Sequence, residues 1–309
     1  MEWLKKGKID YSRWMHINKY ASDFATLPTP IAINDEIIRI FIGFCDNNNV
    51  GTISYIDVLA DNPSEVVNIS EAPVLKPGVD GCFDDNGVVP LSVVWVGSEI
   101  YLYYVGFQLG VKVPYFMFGG LAISTDAGES FSKVSSVPIL DRREDELFAR
   151  CGMYVTNEIN EEFKMWYIGT LRGGGWTQNG SSLKPLYTMR YTHSDNGIDW
   201  NYSSDVCMNF ENKDEHGFGR PFVWFEDGIY KMLYSIRTYS RGYYIGYAEA
   251  KDETNWIRKD TLAGINVSET GWDSVNVSYP SVVRHRNKKY LFYNGNGCGR
   301  TGFGYAILV

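Results

Sequence analysis

The sequence predicts an all-β fold, a single five-bladed β-propeller over residues 1–309, and three observations carry that prediction. Aromatic residues make up 15% of the chain, with 22 Tyr and 9 Trp, and flat or β-branched side chains suit a pleated, half-buried surface. Helix-favouring runs of Ala, Leu, Glu and Lys are scarce. One short pattern recurs five times: an apolar strand ending in Tyr/Phe-x-Gly or a close variant, then a Gly-rich strand. A repeat of this length marks a supersecondary unit that buries its apolar face against copies of itself.

The units follow in order. Their first halves are residues 38–44 (IRIFIGF), 101–107 (YLYYVGF), 163–170 (FKMWYIGT), 230–237 (YKMLYSIR) and 290–296 (YLFYNGN). Their second halves are residues 50–58, 120–126, 188–195, 243–252 and 302–309. Before each pair lies another apolar run, opened by Pro30, Pro90, Pro221 and Pro280, with residues 149–155 standing in for the third. Three units add a turn and an aromatic, at residues 124–131 (STDAGESF), 194–200 (SDNGIDW) and 251–256 (KDETNW). Asp and Gly favour such turns, and the aromatic anchors an outer strand. Each unit is therefore three or four antiparallel strands, which is a propeller blade. The fifth unit ends at Val309 with only three strands, while Trp3-Leu-Lys-Lys is similar to Trp256-Ile-Arg-Lys. The N-terminal strand is expected to complete the last blade and remove its open edge.

Charge and cysteine content narrow the function. Net charge is −8, from 29 basic and 37 acidic residues, with no basic run to follow phosphates, so no nucleic-acid partner is expected. The first residues lack the apolar core of a signal peptide, and no stretch approaches the roughly 18 apolar residues of a membrane span. The five scattered cysteines fit reduced thiols, and the expected location is cytoplasmic. No motif calls for a metal or a cofactor: the four histidines lack ligand spacing, and the Gly-rich stretches lack the P-loop Lys-Ser/Thr.

In a propeller the inner strands converge on a central funnel, so polar groups beside their starts meet. Unit two offers Asp84 and Asp85, unit three Asp145, Glu146 and Arg150, unit four Glu215, His216 and Arg220, and unit five Trp272 and Asp273. Carboxylates thus recur at one phase of the repeat. Glycoside cleavage uses such a pair, one protonated acid at the leaving oxygen and one carboxylate as nucleophile or base. Neighbouring like charge keeps the acid protonated. The same residues also suit turn capping. Arg150, Arg220, Arg237 and Arg172 offer forks for carboxylate or phosphate, or partners for adjacent acids. Trp176 and Trp272 offer faces for sugar stacking.

The inner-strand carboxylates on a fivefold repeat resemble the five-bladed glycosidase superfamily, which includes arabinanase/xylosidase, invertase and mannoside-phosphorylase families. Residues 83–90 (FDDNGVVP), 138–142 (PILDR), 219–221 (GRP) and 271–274 (GWDS) are similar to bacterial predicted glycosidases often associated with surface-polysaccharide genes. The resemblance implies a glycoside hydrolase acting on a small or anionic glycoside, a carbohydrate substrate. Asp84 or Asp85 would be base or nucleophile, Glu215 the general acid, and Asp273 the orienting or tuning group. The invertase-type Trp-x-Asn-Asp-Pro opening is absent, since unit one reads Leu27-Pro-Thr-Pro30. A phosphorylase or glycosyltransferase in polysaccharide metabolism, or a non-catalytic sugar-binding propeller, are the alternative expectations.

Overall fold

The computed structural model describes residues 1–157, 162–171, 175–201 and 205–309. Alternating apolar side chains and tight turns give a chain of antiparallel strands. Unit one pairs Ala25–Ala32, Ile37–Cys45, Gly51–Leu59 and Asn62–Ile69 in that order. Unit two runs Val88–Val96, Glu99–Leu109, Tyr115–Ser124 and Ser132–Lys133; unit three runs Ala149–Thr156, Phe163–Thr170, Tyr187–Ser194 and Asp205–Met208. Units two and three join into one sheet through a short parallel pairing, Ala149 with Met117 and Arg150 with Phe118. Unit four pairs Glu215–Glu226, Ile229–Thr238, Gly242–Ala250 and Ile257–Arg258. Unit five pairs Ser278–His285, Lys288–Asn294 and Phe303–Leu308, and its outer position is taken by Trp3–Lys8 from the other end of the chain. That pairing is antiparallel, from Trp3 opposite Leu308 to Lys8 opposite Gly304.

The first strand of every unit breaks register at the same place: between Thr26 and Thr29, Pro90 and Ser92, Cys151 and Tyr154, Gly219 and Phe222, and Ser278 and Ser281. At four of these bulges a residue takes the left-handed region, at Leu27, Gly152, Arg220 and Tyr279. A bulge bends the strand and re-aims its side chains, so the start of each first strand departs from the regular ladder. These inner strands touch one another in sequence, one to two, two to three, three to four and four to five, and the fifth touches the first.

The apolar clusters sit between units. Ile38, Ile40 and Ile56 of unit one pack with Tyr290, Phe292 and Phe303 of unit five. Phe41 and Ile53 pack with Leu102 and Phe118 of unit two, and Leu233 and Ile245 of unit four with Leu291 and Tyr293. A larger cluster spans units two, three and four through Tyr103, Trp166 and Phe218. Burial of a large aromatic or aliphatic side chain contributes roughly 1.5–3 kcal/mol, so the stabilising surface lies mainly at unit-to-unit contacts. Among the described residues, no helix is long and apolar enough to cross a membrane.

Candidate functional site

The recurrent carboxylates meet a recurrent tyrosine. Asp84 accepts a hydrogen bond from Tyr104 Oη at 3.0 Å and pairs with Lys133 Nζ at 2.6 Å. Asp273 repeats this with Tyr293 Oη at 3.0 Å and Lys5 Nζ at 2.6 Å. Glu146 accepts from Tyr167 Oη at 3.0 Å and pairs with Arg150 Nε at 3.0 Å. In unit four the tyrosine's partner comes from the outer edge: Tyr234 Oη donates to Asp260 at 2.6 Å. Arg258 bridges Asp260 to Glu215, which it grips with two hydrogen bonds of 2.8 Å. The glycine two residues after the tyrosine leaves room for the acid. A Cβ on Gly106 would lie 2.4 Å from Asp84 Cβ, and one on Gly169 would lie 2.0 Å from Glu146 Oε1.

Asp84, Glu215 and Asp273 are therefore held apart, each buried in its own unit against a cation. A buried acid so paired is costly to disturb, because removing one partner leaves an uncompensated charge. Asp85 differs. It is partly exposed, its carboxylate accepts the Gly81 amide at 2.9 Å, and it makes no ion pair among the described residues.

The arginines also separate. Arg150 is buried, donating to Asp141 O at 2.8 Å beside its pairing with Glu146. Arg220 is buried where the inner strands meet, and donates to Pro28 O at 2.7 Å, Thr29 Oγ1 at 2.7 Å, Leu91 O at 3.2 Å and Tyr279 O at 3.4 Å. It thereby links units one, two, four and five, and burial without a carboxylate pushes its pKa down to about 9. Arg172 lies outside the described residues. Trp272 stacks on Tyr293 with centroids 5.3 Å apart.

Arg237 stands next to the end of the second strand of unit four, at one mouth of this arrangement. It is partly exposed, its Nε has no hydrogen-bond partner, and no carboxylate pairs with it among the described residues. Its guanidinium lies over the rings of Tyr187 and Tyr243, 5.1 and 5.0 Å from their centroids. Tyr115, Tyr187 and Tyr243 stand at the openings of the third strands of units two, three and four, and Tyr279 at the bulge of unit five. Tyr115 and Tyr187 hydroxyls are 3.0 Å apart, and Tyr279 Oη donates to Tyr243 Oη at 3.3 Å. Trp176 packs tilted against Phe148 and edge-on against Tyr115, with centroids 4.7 and 5.2 Å apart. The result is an aromatic bowl around one cation.

Two more groups border this bowl. His216 stacks on Tyr239 and its Nδ1 is 3.1 Å from Pro185 O. A carbonyl only accepts, so Nδ1 carries the proton and Nε2 is left as an acceptor. Burial, with the Arg237 charge second, pushes the His216 pKa down to about 4. Cys298 sits on a left-handed turn against Tyr243 and Tyr279, and burial pushes its thiol pKa up. Motif reasoning passes over His216, because no second ligand stands at a fixed spacing from it. The tyrosines had a signal: they recur at the start of the third strand. No group of three or more His, Cys, Asp or Glu residues suited to a metal occurs among the described residues. The inner strands' far ends enclose a cavity of about 720 Å3, lined by Trp95, Tyr154, Phe222, Trp224, Arg284 and Lys289 among others.

No family model matches the chain. Several glycoside hydrolases share the fold. A thermostable family-43 glycoside hydrolase superposes with a TM-score of 0.71 at 14% identity, covering 92% of this chain and 88% of that one. An alpha-L-arabinofuranosidase from Lactobacillus brevis gives 0.67 at 10% identity, covering 92% and 89%. A Bombyx mori GH32 beta-fructofuranosidase, solved as a mutant with sucrose, gives 0.64 at 14%, covering 92% of this chain and 59% of that one. The neighbours from families 43 and 32 are five-bladed β-propeller enzymes. In sequence, an uncharacterized protein of Mycobacterium tuberculosis strain H37Rv is 32% identical over 315 aligned residues, spanning 100% of this chain and 99% of that one. A protein of strain CDC 1551 matches at the same identity and coverage. This chain belongs to the same family as these two mycobacterial proteins.

Proposed function

We propose that the chain is a carbohydrate-active enzyme, a glycosidase built as one closed ring of five blades, with its substrate seated in the bowl around Arg237. The cyclic contact order of the inner strands supports the five-bladed ring, as does the likeness to family-43 and family-32 hydrolases. The observation that carries the site is the bowl itself. It stands at the inner-strand starts, offers the partly exposed Trp176 and Tyr115 as aromatic surfaces, and holds a cation without a partner acid among the described residues. Ligand sites combine apolar rings with a few convergent polar groups in this way.

Of the four carboxylates expected from sequence, Asp85 suits a reacting role best, because it alone of the four makes no ion pair among the described residues. In this reading Asp85 serves as base or nucleophile towards a small glycoside, while Asp84, Glu215 and Asp273 hold the blades together. Glycosyl transfer to phosphate or another acceptor uses the same bowl. A second reading, a propeller that binds sugar without turning it over, is favoured by the ion pairs that engage the other three acids. Turnover of a broad aryl-glycoside and oligosaccharide panel, with and without inorganic phosphate, tests these readings. Turnover without phosphate supports a hydrolase, and strict phosphate dependence a phosphorylase. Saturable sugar binding with no turnover under either condition establishes the binding reading and removes the enzyme.

A further inference from the structure

We infer that Arg237 and its tyrosine ring form an oxyanion subsite, so that the glycan handled in this bowl carries a carboxylate, phosphate or sulfate. This inference rests on the reading of the bowl as a glycan site. A buried arginine N–H is normally answered by an acid or by carbonyls. Arg220 illustrates the second case, with four oxygen acceptors from three other units. Arg237 has neither. Its Nε lacks an acceptor, it has no ion pair among the described residues, and the groups packed against it are tyrosine rings. The faces of Tyr187 and Tyr243 hold the cation in place through their ring quadrupoles but do not neutralise it.

The hydroxyls around it complete the case. Each of the two tyrosine pairs contains two hydroxyl protons, and the bond between the pair uses one of them. The Tyr115–Tyr187 pair therefore has one further O–H able to donate, whereas the Tyr243–Tyr279 pair also faces the Cys298 sulfur. A guanidinium fork flanked by a spare hydroxyl donor matches an oxyanion, which accepts several charge-assisted hydrogen bonds at once. His216 adds no competing charge, since its proton sits on Nδ1 against Pro185 O. The local sequence protects the space. Arg237 pairs across the ladder with Gly217, where a Cβ would come within 3.1 Å of Tyr187 and 3.3 Å of Arg237 Cδ. A side chain at this position would make the ring and the Arg237 stem give by a few tenths of an ångström.

The test is equilibrium binding, by calorimetry and tryptophan fluorescence, of methyl glucoside and methyl galactoside, their uronates, their 6-phosphates and inorganic phosphate. In the wild type, at least one uronate or sugar phosphate is expected to bind tenfold or more tightly than its neutral parent. Arg237→Met should bring the two within about threefold. Arg237→Gln removes the guanidinium charge but keeps a polar side chain, should reduce the same preference severalfold, and serves as the second variant if Arg237→Met does not fold. Neutral parents that bind as tightly as their acids, a preference that survives Arg237→Met, or no anion bound at millimolar concentration would each overturn the inference. The first of these results would leave the glycan reading standing. Inorganic phosphate binding through Arg237 as tightly as any sugar phosphate would show an oxyanion subsite that takes free phosphate, and would overturn the inference that the glycan itself carries the anion.

Discussion

A single aromatic position in the repeat decides where the buried acids fall. Tyr104, Tyr167, Tyr234 and Tyr293 occupy it in units two to five, and each hydroxyl donates to a carboxylate. Unit one has Phe41 there, fully buried and edge-on to Phe131. With no hydroxyl to satisfy, no acid is required, which accounts for the missing carboxylate at the start of unit one. Tyr104→Phe should cost roughly 1.5–3 kcal/mol, the range for a hydrogen bond to a charged group. Phe41→Tyr should cost a similar amount for the opposite reason, a buried hydroxyl left without a partner. Urea unfolding of both variants checks the pair, and a stabilising Phe41→Tyr would contradict this account. His216 gives a pH signature. Its pKa falls from an ordinary 6.5 to about 4 on folding, so below pH 6.5 the unfolded chain takes up a proton that the folded chain refuses. Stability at this site is therefore full above pH 6.5 and declines as pH falls towards 4. Between pH 7 and pH 4.5 the wild type should lose roughly 2–3 kcal/mol more than His216→Gln. Equal losses in the two proteins would show that His216 is not held neutral.

The strand from Trp3 to Lys8 shows what element order can reveal. The likeness of Trp3-Leu-Lys-Lys to an internal outer strand locates it beside the last unit, and it pairs there with Phe303–Leu308. Three attachments hold it: the buried Trp3 ring, the Trp3 amide donating to Gly264 O at 3.0 Å, and Lys5 on Asp273. Losing a buried Trp and one partner of a buried ion pair costs several kcal/mol each. Deleting residues 1–8 should then lower the melting temperature by at least about 10 °C. An unchanged midpoint would mean that the strand adds nothing to the fold. The strands were legible in sequence because each keeps its own alternation and turn residues. The bulges were not, because they arise where inner strands crowd together, and Leu27 and Tyr279 take left-handed backbone without any glycine to signal it.

At the scale of the whole molecule, sequence phase and spatial direction part company. Asp84, Glu215 and Asp273 share a phase of the repeat, yet each meets a lysine or arginine of its own unit. Lys5 comes from the far end of the chain, a partner that no local spacing reveals. Arg237 also shows the limit of motif reading: its sequence neighbours are ordinary strand residues, and its significance lies in the tyrosines that four other strands bring around it. The aromatic repeat was visible, but not the direction in which its hydroxyls point. The central claim is that the three ion-paired acids are architecture and that Asp85 is the reacting group. The most direct test is kcat/KM measured beside melting temperature for Asp84→Asn, Asp85→Asn, Glu215→Gln and Asp273→Asn, on whichever glycoside the wild type turns over. The account predicts that Asp85→Asn melts like the wild type and loses about 10²-fold or more in turnover, the scale of a missing acid–base group. It predicts lower melting points for the other three, with turnover by the folded fraction within about tenfold of wild type. Glu215→Gln that melts like the wild type and abolishes turnover would contradict it.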